Sequence, residues 1–205
     1  MPSSSKIKVC GLLNPIELMR ADAKLNLDYI GLIFYEKSPR SFQLNGPIPK
    51  TKAQQVGVFV DESKAFIEKK MSECRLDIFQ LHGNESPELC ADLRILRPVF
   101  KAISIKDESS LKGLEKYIDC VDTFVFDTAT PKKGGSGEKF SWDLLKKYDL
   151  PIPFLLSGGI GPEDTKSIQA FSHPMCIGLD LNSRFETSPG LKDFNLLKNF
   201  INEQS

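Results

Sequence analysis

Eight short apolar runs recur along this chain about 25 residues apart, and that rhythm constrains its fold more than any other feature. They are IKVCG (7–11), YIGLIFY (29–35), QVGVFV (55–60), LDIFQLHG (76–83), PVFKAIS (98–104), DTFVFDT (122–128), PFLLSGG (153–159) and MCIGLDL (175–181). Most are nearly continuous in hydrophobicity, as expected of parallel strands buried on both faces. The intervening segments mostly read as helices. Ile67, Met71 and Cys74 form an apolar stripe after a capping Asp61 or Ser63, and Leu197, Phe200 and Ile201 form another near the end. Pro162 suits the first turn of a helix with Ile168 and Phe171 on its inner face. One connection differs: residues 41–54 carry Gly46, Pro47 and Pro49 without an apolar stripe, so the second crossover is expected to have a short helix or none.

Eight strand-helix units in 205 residues describe an α/β protein, a single (β/α)₈ TIM barrel spanning 1–205 as one domain. The rival reading, an open doubly wound sheet, calls for a GxGxxG after the first strand, and the chain has none there.

Charge and composition narrow the partners. Lysine and arginine number 27 and aspartate and glutamate 27, so no net field draws the chain to nucleic acid or an anionic membrane. No run is long enough to cross a bilayer and the first residues carry no apolar leader, which leads us to expect a cytoplasmic protein. The five cysteines lack CxxC spacing and only two histidines accompany them, so we expect reduced thiols and no metal.

In a barrel of this kind chemistry gathers at the C-terminal ends of the strands. Cys10 ends the first run there, although a thiol in a packed strand serves by default as core filling. Asp127 ends the sixth run, where burying a carboxylate is costly unless it has partners or work to do; a helix cap or loop hydrogen bond is the plainer role. Arg40 follows the second run in YEKSPR, and its planar fork suits a carboxylate, against the alternative of a solvated loop charge. Gly158 and Gly159 end the seventh run ahead of a helix, where exposed N–H groups favour an anion. Asn182 and Ser183 follow the eighth, completing the pair of loops that forms a phosphate site in many barrels. GGSG at 134–137 lacks the Lys-Ser or Lys-Thr of a P-loop and reads as a mobile loop over the mouth.

Taken in order, KVCG, GLIFYEKSPR, VGVFV, QLHGNES, FDT with GGSGEKFSWDLL, LSGGI and GLDLNSRFETSPGLKD resemble the motif set of the phosphoribosylanthranilate isomerases, from residue 6 to about 200. The resemblance implies a cofactor-free aldose-ketose isomerase of tryptophan biosynthesis. Its reaction is the Amadori rearrangement of N-(5'-phosphoribosyl)anthranilate to 1-(2-carboxyphenylamino)-1-deoxyribulose 5-phosphate. It implies Asp127 as general acid, Cys10 as general base and Arg40 as holder of the anthranilate carboxylate. Gly158, Gly159, Asn182 and Ser183 then hold the ribose phosphate, with Asp180 close to the substrate. Two departures stand out: the helix-poor second crossover, and Arg184 where the family more often has glycine. The alternatives are another phosphosugar barrel, such as indole-glycerol-phosphate synthase or ribulose-phosphate epimerase, and a non-catalytic binder of a phosphorylated metabolite. The assembly is expected to be a monomer or homodimer.

Overall fold

The computed structural model describes residues 5–128 and 141–204. Its eight parallel strands are β1 (Lys6–Cys10), β2 (Tyr29–Ile33), β3 (Gln54–Phe59), β4 (Ile78–Leu81), β5 (Val99–Ile105), β6 (Thr123–Thr128), β7 (Phe154–Leu156) and β8 (Cys176–Leu181). Each pairs with its neighbours, and β8 returns to β1 with Lys8 opposite Asp180, so the sheet closes into a barrel. All eight expected strands are present. GGSG at 134–137 lies outside the described residues.

The helices form where caps and apolar stripes coincide. Helix α1 (Pro15–Lys24) starts at Asn14, whose side chain accepts from the Ile16 and Glu17 N–H groups, with Pro15 supplying a ready-made first turn. Ser63 caps α2 (Lys64–Cys74) and Ser86 caps α3 (Pro87–Arg94). Pro162 opens a single 3₁₀ turn that leads into α4 (Thr165–Ala170), with Ile168 buried. Helix α5 (Phe194–Gln204) buries Phe194, Leu197, Phe200 and Ile201.

The second crossover has no helix among its residues. Instead Asp22 accepts from the Lys52 and Ala53 N–H groups, Gln55 Nε2 donates to the Pro49 carbonyl, and Phe42 packs edge-on against Phe34. The connections after β5 and β6 also depart from the helical expectation, forming 3₁₀ turns at Glu108–Leu111, Leu114–Tyr117 and Trp142–Lys147. Within a turn the apolar residues recur every third position, as Leu114 and Tyr117 do and as Trp142 and Leu145 do, the spacing that eclipses side chains on a 3₁₀ turn. Gly113, at φ +72°, separates the first two turns.

The core has two parts. One lies between barrel and helices; the other fills the barrel with Tyr29, Val56, Ile78, Phe100, Ala102, Val125 and Leu155. Above this apolar floor the interior turns polar, with Lys8, Gln80 and Asp180 all buried.

Candidate active site

Strand period sets the first site group. Lys8 and Cys10, two residues apart, leave the same face of β1 and point into the upper barrel. Across from Cys10 on β2 stands Gly31, where a Cβ would come 2.6 Å from the Cys10 Sγ, so glycine there makes room for the thiol. Lys8, fully buried, donates to Asp180 Oδ1 at 2.9 Å. Burial pushes the Cys10 thiol above its ordinary range; the Lys8 ammonium pulls it back, the Asp180 carboxylate adds to the rise, and Lys192 again opposes it. Burial works against the charge of Lys8, yet the Asp180 and Cys10 charges hold its pKa above the usual lysine value.

Asp127, next to last in β6, faces the same cavity, about a quarter exposed, its Oδ1 accepting from the Thr128 N–H at 2.8 Å. His82 Nε2 lies 3.3 Å from Asp127 Oδ2, and His82 Nδ1 lies 3.0 Å from Gln80 Nε2.

Seven of the eight expected site residues line one cavity at the C-terminal mouth: Cys10, Asp127, Gly158, Gly159, Asp180, Asn182 and Ser183. Gly158 and Gly159 have φ of +86° and +72°, and a Cβ on Gly158 would fall 2.3 Å from Thr128 Oγ1. Their N–H groups have no partner among the described residues. Asn182 is held from behind, its Oδ1 accepting from Lys192 Nζ at 2.7 Å. Across the mouth Ile33, Tyr35, Val58 and Val60 make an apolar wall on the β2–β3 side.

Arg40, the eighth, does not line this cavity. Its Nε and Nη2 donate to both oxygens of Glu186 at 2.8–3.0 Å, and both side chains are buried. Glu186 also accepts from Lys192 at 2.7 Å and from the Gly190 N–H at 3.1 Å, within the hairpin of β9 (Glu186–Ser188) and β10 (Leu191–Lys192). Burial pulls the Lys192 pKa down against the pull of Glu186. Arg184 sits in the turn Ser183–Phe185 without positive φ and pairs with Glu163 at 2.7 Å, each about half exposed.

Sequence reasoning gave no role to Lys8, Gln80, His82, Glu186 or Lys192. Period two was the available signal: Lys8 shares the face of Cys10, and Gln80 shares that of His82.

A closed eight-stranded barrel with a thiol and a carboxyl at its mouth, an apolar wall on one side and a glycine pair on the other defines a (β/α)₈ barrel of the enzyme type, its candidate site at the C-terminal ends of the strands. A family sequence model described as N-(5'-phosphoribosyl)anthranilate (PRA) isomerase matches residues 7–203. N-(5'-phosphoribosyl)anthranilate isomerase of Parabacteroides distasonis is 43% identical, with 96% of this chain and 92% of that protein aligned. Its counterpart from Phocaeicola vulgatus is 41% identical over 96% of both chains. Among solved structures, phosphoribosyl anthranilate isomerase from Thermotoga maritima superposes with a TM-score of 0.84 at 31% identity, covering 98% of each chain. A phosphoribosyl anthranilate isomerase in complex with reduced 1-(o-carboxyphenylamino)-1-deoxyribulose 5-phosphate superposes with a TM-score of 0.81 at 28% identity, again over 98% of each. The chain belongs to the N-(5'-phosphoribosyl)anthranilate isomerase family.

Proposed function

We infer that this chain converts N-(5'-phosphoribosyl)anthranilate to 1-(2-carboxyphenylamino)-1-deoxyribulose 5-phosphate, with Asp127 as general acid and Cys10 as general base. The observation that carries the reading is the division of one mouth into three parts. An apolar wall on β2 and β3 suits an aromatic ring, open N–H groups at Gly158 and Gly159 suit a phosphate, and the two proton-transfer groups flank the space between.

The chemistry runs in two proton transfers. Asp127 gives a proton to the ring oxygen of the aminated furanose, the C1–O bond breaks, and the nitrogen lone pair forms the protonated Schiff base. Cys10, as thiolate, takes the proton from C2; those electrons form the C1–C2 double bond and neutralise the iminium, giving an enolamine that tautomerises to the ketone. Burial keeps the thiolate a minor species, and the Lys8 ammonium offsets part of that penalty.

Gly158, Gly159, Asn182 and Ser183 hold the phosphate in this reading, with Asp180 anchored by Lys8 below. Arg40 donates through Nε and Nη2 to Glu186, and Nη1 has no partner among the described residues, leaving it to meet the anthranilate carboxylate. Glu186 then acts as the brace that fixes the guanidinium plane.

Five free thiols suit a reducing compartment, which supports a cytoplasmic location, and no helix of the described residues is long and apolar enough to cross a membrane. A relative from Thermotoga maritima is described as dimeric, so a homodimer stands beside a monomer for this chain. A fluorescence assay following loss of phosphoribosylanthranilate on addition of the pure protein tests the activity. Absence of turnover would leave a phosphometabolite-binding barrel.

A further inference from the structure

Gln80, His82 and Asp127 form a chain across two strands that the two proton transfers above do not use. Gln80 Nε2 lies 3.0 Å from His82 Nδ1, and His82 Nε2 lies 3.3 Å from Asp127 Oδ2. With the amide nitrogen turned toward the ring, Nδ1 accepts and a neutral imidazole carries its proton on Nε2, facing the carboxyl; the tautomer is what the test below reads. Gln80 is 1% exposed, and its Oε1 has no partner among the described residues. A buried amide oxygen left unsatisfied carries an energetic penalty, and the Gln80–His82 contact is what the amide retains.

The backbone around His82 is fixed separately. Its N–H donates to the Phe59 carbonyl at 2.8 Å. Lys101 Nζ donates to the carbonyls of Leu81 and Gly83, on either side of His82, at 3.2 and 2.9 Å. Lys101 also pairs at 3.1 Å with Glu85, which accepts from the Gly83 and Asp61 N–H groups, and both side chains of that pair are at most 2% exposed. This ion pair lies outside the cavity, and it sets the ring position that Gln80 then orients.

We propose that His82 is a positioning residue for Asp127, held by Gln80 as a neutral Nε2–H donor that fixes the carboxyl at the mouth and stabilises the carboxylate left when its proton goes to the sugar. The Thr128 N–H already holds Oδ1, and the His82 ring stands 3.3 Å from the other oxygen, close enough to tighten into a hydrogen bond that sets the plane of the group from its second side. A neutral donor suits this task better than an imidazolium, because it favours the carboxylate less strongly and so takes less from the acid form that must deliver the first proton. The other charged or titratable groups that line the cavity are Cys10 on β1, Tyr35 just after β2 and Asp180 on β8. This inference rests on the reading of Asp127 as the acid.

The test joins a spectroscopic and a kinetic readout. The chain has only His82 and His173, so long-range ¹H–¹⁵N spectra of the unsubstituted protein resolve both rings, and a His82→Gln variant assigns the signals. The expected result is an Nε2–H tautomer for His82 that a Gln80→Met variant no longer fixes. His82→Leu should lower kcat at least about tenfold with KM changed less than about twofold, and His82→Gln, whose amide can donate, should recover part of the loss. An Nδ1–H tautomer or an imidazolium at neutral pH overturns the proposal. So does normal kcat in His82→Leu, or a KM rise that accounts for the whole effect. If His82→Leu does not fold, the tautomer and the His82→Gln and Gln80→Met kinetics decide alone. Near-normal kcat in Asp127→Asn instead removes the acid reading and this proposal with it, whereas a damaged Asp127→Asn beside an unimpaired His82→Leu removes this proposal only.

Discussion

The Lys8 ammonium lies 2.9 Å from the Asp180 carboxylate, two residues below Cys10 on the inner face of β1. The two charges act on the thiol in opposite directions, Lys8 favouring the thiolate and Asp180 the thiol. Only the thiolate reacts with an alkylating agent, so the reaction rate rises with pH through the Cys10 pKa. Asp180→Asn should therefore move the rate curve for iodoacetamide to lower pH, and Lys8→Met should move it to higher pH. Lys8→Met also strands a buried carboxylate, a loss of about 3–5 kcal/mol that the Lys8→Met/Asp180→Asn double variant should largely recover. Superimposable curves for all three proteins would show that the pair is structural only.

Cys10→Ala and Asp127→Asn each remove one of the two groups to which we assign proton transfer, and little volume. Each should lower kcat about a hundredfold or more while circular dichroism and the unfolding midpoint stay close to the parent's. Product present in excess should slow alkylation of Cys10. Near-normal kcat in either variant would falsify that residue's assignment.

Arg40 is tied to Glu186 by three contacts of 2.8–3.0 Å, and this makes two outcomes separable. If Nη1 meets the substrate carboxylate, Arg40→Ala loses a charge-assisted bond of about 1.5–3 kcal/mol, which corresponds to a KM increase of at least tenfold. Arg40→Lys should restore only part of it, since an ammonium cannot span Glu186 and substrate in one plane. A large fall in unfolding midpoint with unchanged kcat/KM would make Arg40 a structural partner of Glu186 alone.

The barrel was legible because parallel strands buried on both faces leave continuous apolar runs, and glycine, proline and caps mark their ends. The 3₁₀ connections were missed because apolar residues three apart, such as Leu114 and Tyr117, fit one face of an α-helix as well as a 3₁₀ turn. Cys10, Asp127 and the glycine pair stood out as chemistry-bearing types at strand ends. The groups that brace them did not, because Lys8–Asp180 joins residues 172 apart and Arg40–Glu186 residues 146 apart. Such pairings depend on the register of β1 against β8 and on the β9–β10 hairpin, neither of which local pattern encodes.

Gly158 takes φ +86° beside Thr128, where an added methyl would lie 2.3 Å from Oγ1. Gly158→Ala should cost about 1–3 kcal/mol in stability through backbone strain and displace the loop whose open N–H groups we assign to the phosphate. Titration calorimetry with product should then show weaker binding than the parent, with Cys10 alkylation in the free protein little changed. Undiminished product affinity would place the phosphate elsewhere in the mouth.

Arg184, a departure from the family resemblance noted in the sequence, sits in the turn Ser183–Phe185, which accepts it without left-handed backbone. Its charge beside Ser183 invites the view that it attracts phosphate, yet its Nη2 is paired with Glu163 Oε1 at 2.7 Å. A half-exposed pair of this kind is worth at most about 1 kcal/mol, and the carboxylate cancels much of the field that a phosphate would feel. Arg184→Gly should therefore reduce affinity for inorganic phosphate by no more than about threefold. Glu163→Gln leaves the arginine charge uncompensated and should tighten phosphate at low ionic strength, an effect that fades as salt screens the site. Calorimetric titration of both variants at two ionic strengths distinguishes the cases. Tighter phosphate binding by Arg184→Gly would mean that the side chain obstructs the site, and no response to Glu163→Gln would mean that its charge does not reach the phosphate.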